Sequence, residues 1–310
     1  MKAIDIVGIL LLLCTISSCR TPSSNNTPDQ TETCQAKPLN AFPGLHNVFH
    51  VNKNLISGGE PQGDKGFESL ANLQVRTIIS VDGARPDIER AKAHHMRYVH
   101  IPLGYKSIDN NSQRLLAKAI RDLPANVYVH CLHGKHRGPA AVAIASVMLG
   151  RMDRNEAVTF MRKAGTSPMY DGLFSCVMNA SPLDQKVLDR TPSNFPKVTR
   201  VTGLVETMAD MGRVYNDLKL IRDAGWITPA NHPDLIPSRK ASYLASLLQH
   251  LQADPDTRSK PEEFHSLLKK GTQRADEFSQ ALAHPPTHDP LQRFNSLAES
   301  CQDCHTKYRN

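Results

Sequence analysis

A cysteine and an arginine separated by five residues constrain this chain more than any other feature. They lie in the run His130-Cys131-Leu132-His133-Gly134-Lys135-His136-Arg137-Gly138-Pro139. The β-branched and aromatic run Val127–Cys131 before the loop predicts a strand, and the small apolar residues Ala140–Leu149 after it predict a helix. Between two such elements the chain must curl. Successive backbone N–H groups then point inward, and the first helical turn adds its positive dipole end, which together make an anion-binding nest. A cysteine at the centre of that field is favoured as the thiolate and becomes a nucleophile. Arg137 can grip two oxygens of a phosphoryl group in a planar fork, which a lysine cannot do. Gly134 permits the tight curl, and Lys135, His133 and His136 are expected to add positive potential at the rim.

The residues upstream supply a frame for this loop. Val48–Val51, Arg76–Val81 and Arg97–Ile101 read as further strands, and Lys65–Leu73, Asp87–His95 and Ser112–Leu123 as the helices between them, a mixed α/β layer. Residues 42–181 thus form one predicted domain. Its motif resembles that of the cysteine-dependent protein tyrosine phosphatases, in particular the dual-specificity-like branch. The resemblance implies a central sheet with helices on both faces, Cys131 as the residue that forms a phosphocysteine, and Arg137 as the phosphate clamp. It also implies that His130 supports the loop and that a carboxylate on an upstream loop protonates the leaving oxygen. Asp109 is the only carboxylate after the Tyr98–Leu103 strand and before the Ser112 helix, with Asp82 the second choice. Gly138 stands where the family usually has a serine or threonine that helps the thiolate leave. Two alternatives stay open: a phosphate-binding domain without turnover, and a plain buried strand cysteine.

A length of 310 residues predicts about two domains at ~150 residues each. Residues 1–19 carry an apolar run from Ile6 to Ile16, too short to span a bilayer with ease, and read as an export signal. Ile16-Ser17-Ser18-Cys19 resembles the bacterial lipobox, which implies lipidation of Cys19, a flexible tether over 20–41 and a periplasmic protein anchored to the membrane. An ordinary signal peptide is the alternative. The net charge of +7 suits a phosphorylated or anionic partner. With 5% aromatics and no Lys/Arg block, a nucleic-acid partner is not expected.

Pro182, Pro192 and Pro196 mark 182–200 as a linker, and beyond it the strand-like runs stop. Leu204, Met208, Met211, Tyr215 and Leu218 recur at helical spacing up to Gly225. Three further helices are expected: Arg239–Leu251 behind a Ser238 cap, Pro261–Ala283 and Leu291–Tyr308. Together they predict an all-α four-helix bundle over 201–310.

The last helix holds Cys301-Gln302-Asp303-Cys304-His305, the arrangement for covalent attachment of c-type haem, with His305 as axial iron ligand. A zinc or thiol redox site is the rival, but no second ligand pair stands at short spacing. The motif at the end of a predicted bundle resembles that of the cytochrome c′ family. The resemblance implies a sixth-coordination side facing the first helix of the bundle, where Met208 is the candidate ligand and Met211 the fallback. Packing in the bundle core accounts for both methionines equally well. Of seven cysteines, Cys14 goes with the signal, and Cys34 and Cys176 remain, either as a candidate disulfide or with Cys176 as the partner that protects Cys131. Two function classes follow. One is an exported phosphomonoesterase joined to a haem domain with a periplasmic redox partner, and the other a sensing or electron-carrying cytochrome whose loop only docks an anion or a phosphorylated partner.

Overall fold

The computed structural model describes residues 36–39, 42–283 and 289–309; Cys14, Cys19, Cys34, the export signal and most of the tether lie outside these. In chain order the strands and helices up to the nucleophile loop are β1 (Lys37–Pro38), β2 (Phe49–Asn52), β3 (Leu55–Gly59), α1 (Gly63–Asn72), β4 (Thr77–Ser80), α2 (Ile88–Ala93), β5 (Arg97–His100), α3 (Asn110–Asp122) and β6 (Val127–Cys131). After it come α4 (Arg137–Met148), α5 (Arg154–Lys163), α6 (Asp171–Asn179) and α7 (Gln185–Arg190), then α8 (Gly203–Asp223), α9 (Pro237–Ala253), α10 (Glu262–Ala283) and α11 (Pro290–Tyr308).

The sheet has the order β1-β2-β3-β6-β4-β5, antiparallel from β1 to β3 and parallel from β3 through β5. The parallel strands are buried on both faces, as crossover helices require. One face packs Val129, Ile79 and Val99 against the small-residue helix α4, and the other packs Tyr128, Ile78 and Tyr98 with Phe67 and Leu70 of α1. The expected strands and helices are present with small shifts at their ends; β1, which falls within the segment 20–41 expected as a tether and pairs with β2, is an addition, and so is β3. The sequence of β3, Leu-Ile-Ser-Gly-Gly, hides its role. A Cβ at Gly58 would stand 2.2 Å from the Tyr128 hydroxyl and one at Gly59 would stand 2.3 Å from His46 Nε2, so no larger residue fits beside the central strand.

The segment 182–200, expected as a linker, is built into the fold. It contains α7, whose Leu188 is fully buried, and then runs along the outer edge of β5. There His100 N–H donates to Pro196 O at 2.8 Å, and the Thr199 hydroxyl donates to His100 O at 2.6 Å. Pairing of this kind removes an open sheet edge.

Beyond it lie the four expected helices. Val214, Leu218 and Ile221 of α8, Leu244, Ala245 and Leu248 of α9, Phe264, Leu268 and Phe278 of α10 and Phe294 and Leu297 of α11 share one apolar cluster. Tyr215 stacks on Phe294 at 5.0 Å, and Trp226 meets Phe278 and Phe294 edge-on. The α9 helix begins at Pro237 with Ile236 in the cap position, so Ser238 lies inside the first turn instead of capping it. The described residues from Ala36 onward group as one compact unit, and the side of α8 away from its cluster faces the strand–loop–helix motif: a Cβ at Gly212 would lie 3.1 Å from Leu132.

Candidate active site

The strand β6 ends on His130 and Cys131, and α4 begins at Arg137, so the loop between them sits at the carboxyl end of the central parallel strand. Its carbonyls are tied outward from several directions. Leu132 O accepts from Glu60 N–H at 3.1 Å, Gly134 O from Asn47 Nδ2 at 2.8 Å, and Lys135 O from the Thr166 hydroxyl at 2.7 Å. In a trans peptide the C=O and the next N–H point in opposite directions, so the N–H groups of His133, Lys135 and His136 are turned to the inside of the curl. Gly134 has φ +67°, and a Cβ there would lie 2.4 Å from Gly58 C. Only glycine gives both that conformation and that close approach to β3.

Cys131 is buried at 3% exposure and is a free thiol. Arg137, in the first turn of α4, is also buried. Its Nη2 donates to Asp82 Oδ2 at 2.5 Å and its Nη1 to Leu103 O at 3.4 Å, while Nε has no hydrogen-bond partner among the described residues. Its guanidinium carbon sits 4.4 Å from the centre of the Tyr105 ring. A buried donor left over beside a curl of inward N–H groups is the arrangement that an oxyanion completes.

His130 supports the strand end: its Nε2 is 2.6 Å from the Tyr98 hydroxyl, and burial pushes its pKa down to about 3. The expected histidine contribution to positive potential is corrected by burial. His136 is pushed down to about 4, chiefly by desolvation, and packs against Tyr170 in a tilted arrangement with ring centres 4.6 Å apart; His133, lowered by desolvation, is bonded to Asn216 of α8. Both are neutral near pH 7, which leaves Lys135 as the charged rim residue within the loop. Gly138 is buried in the first turn of α4, and a Cβ there would lie 3.6 Å from Cys131 Sγ.

The two carboxylates are placed very differently. Asp109 caps α3, accepting from Asn111 N–H, Ser112 N–H and the Ser112 hydroxyl, and is exposed. Burial would raise its pKa, but these hydrogen bonds outweigh that and hold it below the usual value. Asp82, after β4, is buried and accepts from Leu132 N–H at 3.2 Å and Ala84 N–H at 3.1 Å besides Arg137. Burial alone would raise it, yet Arg137 and Arg213 together push it down to about 2. Asp82 is therefore an ionised strut between the loop and the arginine.

Sequence reasoning missed three participants. Arg213 of α8 pairs with Glu60 at 2.6 Å and approaches Asp82 at 3.8 Å. Arg309, just past α11, lies 4.5 Å from the Tyr105 ring centre, on which Arg137 also rests. No local pattern marks these residues, because each partner is far away along the chain.

Cys301 and Cys304 are free thiols that pack against the helical cluster together with Met208, Met211 and Tyr215. Burial pushes the Cys301 thiol up to about 11 and raises Cys304 as well. His305 follows in the same turn, half-buried and lowered by desolvation to about 4. The donor set fits a c-type haem: two free thiols three residues apart, a histidine directly after the second, and an apolar cluster against which both thiols and the thioethers of Met208 and Met211 pack. Among the described residues no group of three or more His, Cys, Asp or Glu side chains is placed to hold a metal ion by itself. Cys176, the other half of the candidate disulfide, is a free thiol that accepts from Ile108 N–H at 3.3 Å.

No protein-family model matches the chain, and no curated protein does. Among solved structures it is similar to TpbA of P. aeruginosa, with 20% identity and a TM-score of 0.41 over 51% of this chain and 95% of that one. The core catalytic domain of the PP-IP phosphatase SIW14 from S. cerevisiae matches with 18% identity and a TM-score of 0.33 over 50% and 90% of the two chains. DUSP15 matches with 16% identity and a TM-score of 0.35 over 49% and 98%. Of these neighbours SIW14 is described as a phosphatase, and each likeness covers about half of this chain. What the loop of this chain can do follows from its own geometry.

Proposed function

We propose that the chain is a phosphoric monoester hydrolase with Cys131 as its nucleophile. The thiolate attacks phosphorus, the ester oxygen leaves, and water then displaces sulfur to release phosphate. Inward N–H groups of the loop and the Arg137 fork hold the equatorial oxygens throughout. The observation that carries this reading is the loop whose Leu132, Gly134 and Lys135 carbonyls are tied outward while the buried Arg137 Nε has no partner among the described residues. The neighbours of both candidate acids favour their charged forms, so aryl phosphates whose leaving phenol is acidic, p-nitrophenyl phosphate among them, suit this site best. The test compares full-length protein with Cys131→Ser on p-nitrophenyl phosphate. The variant is expected to lose turnover, and equal rates refute the reading.

The helical region is proposed to carry a c-type haem, joined through Cys301 and Cys304 and ligated by His305, with Met208 before Met211 as candidate for the opposite side. Bound there, the haem would supply one-electron chemistry towards a periplasmic redox partner. That both thiols and both methionines pack against the same apolar cluster favours this reading. Export and anchoring through Cys19 belong to the same proposal, since haem attachment of this kind is made outside the cytoplasm. The competing reading, a cytochrome whose loop only binds an anion, draws on Gly138 and is separated from the first by the same turnover assay.

A further inference from the structure

The helical region meets the anion loop at Asn216, which bonds His133, and it reaches the charged groups behind the loop through Arg213, where the electrostatics are closely balanced. Arg213 projects from α8 and donates to Glu60 Oε1 at 2.6 Å and to its own helix at Ala209 O at 3.1 Å. Its Nη1 lies 3.8 Å from Asp82 Oδ1. Arg213 and Glu60 are about three-quarters covered, with side-chain exposures of 27% and 24%, while Asp82 is at 2% and Arg137 at 10%. Four charges therefore stand in one chain, Glu60 to Arg213 to Asp82 to Arg137, two of each sign. Half-exposed Asp210 on α8 faces the outer end, and neutral Tyr98 and His130 line the inner side. The chain also touches the loop directly. Glu60 N–H holds Leu132 O, and Asp82 Oδ2 takes Leu132 N–H.

We infer that Arg213 is a positioning residue for the anion loop, neutralising Glu60 and sharing Asp82 so that Arg137 keeps donors for an incoming phosphoryl group; the helical region is thereby part of the phosphatase site. Without Arg213 the four-charge chain becomes a three-charge chain of net −1 next to the bound dianion. Asp82 then has Arg137 as its only close cation and holds it more firmly. Removing one member of a covered ion pair leaves the other uncompensated, and that imbalance is felt most by the next charge in line. The inference rests on the reading of the loop as a phosphate site but not on turnover.

The experiment measures tungstate binding to the full chain by calorimetry for wild type, Arg213→Ala, Glu60→Gln and the double variant, with thermal melts as a folding control. Arg213→Ala is expected to bind tungstate roughly 10- to 30-fold more weakly. Adding Glu60→Gln removes the uncompensated carboxylate and is expected to restore affinity to within about threefold of wild type. Glu60→Gln alone is expected to bind at least as tightly as wild type. Affinity of Arg213→Ala within twofold of wild type overturns the inference. So does a loss that Glu60→Gln does not restore, because then Arg213 acts only through packing. If Arg213→Ala does not fold, weaker binding by Glu60→Gln alone overturns it. A wild type that binds no tungstate refutes the anion loop itself, and with it this role for Arg213. A wild type that binds but does not turn over refutes only the hydrolase reading.

Discussion

Gly138 offers a direct way to test the chemistry by adding a group instead of removing one. It is the second residue of α4, and its φ is an ordinary helical one, so a side chain meets no backbone penalty. A Cβ built there stands 3.3 Å from Cys131 N and 3.6 Å from Cys131 Sγ. The first contact asks Cys131 N to give by a few tenths of an ångström, and the gain in helix propensity from glycine to serine, about 0.5 kcal/mol, offsets much of that. The serine hydroxyl extends ~1.4 Å beyond Cβ and can reach the sulfur. A hydrogen bond to a charged partner contributes about 1.5–3 kcal/mol. If it forms as sulfur regains its charge on leaving phosphorus, release of the intermediate speeds up roughly 10- to 150-fold. Rapid mixing with p-nitrophenyl phosphate reads this step. The wild type is expected to show a burst of one equivalent of nitrophenol followed by slow turnover, whereas Gly138→Ser shows a smaller burst and a faster steady state. An unchanged steady state with the burst intact refutes the assigned role of position 138. A wild type with no burst places the slow step earlier and refutes the premise.

Three further outcomes follow from the geometry. Asp109→Asn keeps the cap of α3 and is expected to change turnover of p-nitrophenyl phosphate less than threefold, while Asp109→Ala lowers stability by about 1 kcal/mol in a thermal melt; a drop of tens-fold for the asparagine variant shows instead that Asp109 is the acid. Asp82 is depressed from 3.8 to about 2, so its stabilisation, on the order of 2 kcal/mol, is present above pH ~4 and is lost as pH falls through about 2. Acid titration of stability should be shallower in Asp82→Asn over that window, and equal slopes refute the ion-pair account. Expressed with a haem-attachment system, the wild type is expected to give a haem-staining band after denaturing electrophoresis that Cys301→Ala/Cys304→Ala lacks. No band in the wild type refutes haem attachment.

The sequence by itself determined everything that depends on neighbours along the chain. The β-branched run, the five-residue gap and the small-residue helix specify β6, the curl and α4, because a strand and a helix that close together leave the loop little freedom. Apolar spacing near 3.6 residues placed α8 to α11 for the same local reason, and the Cys301–His305 spacing lies within one helical turn. Tertiary structure decided what depends on residues far apart. The strand β3 is recognisable only beside Tyr128 and His46, which forbid a side chain at Gly58 and Gly59. Asp109 and Asp82 looked alike as carboxylates on loops, and only folding made one a helix cap and the other a buried strut. The loop histidines were cationic candidates until burial made them neutral. Arg213 meets Glu60 across 153 residues of sequence, and no pattern in either segment records that meeting. Electrostatic balance is set by distance and solvent exposure, and both belong to the folded chain.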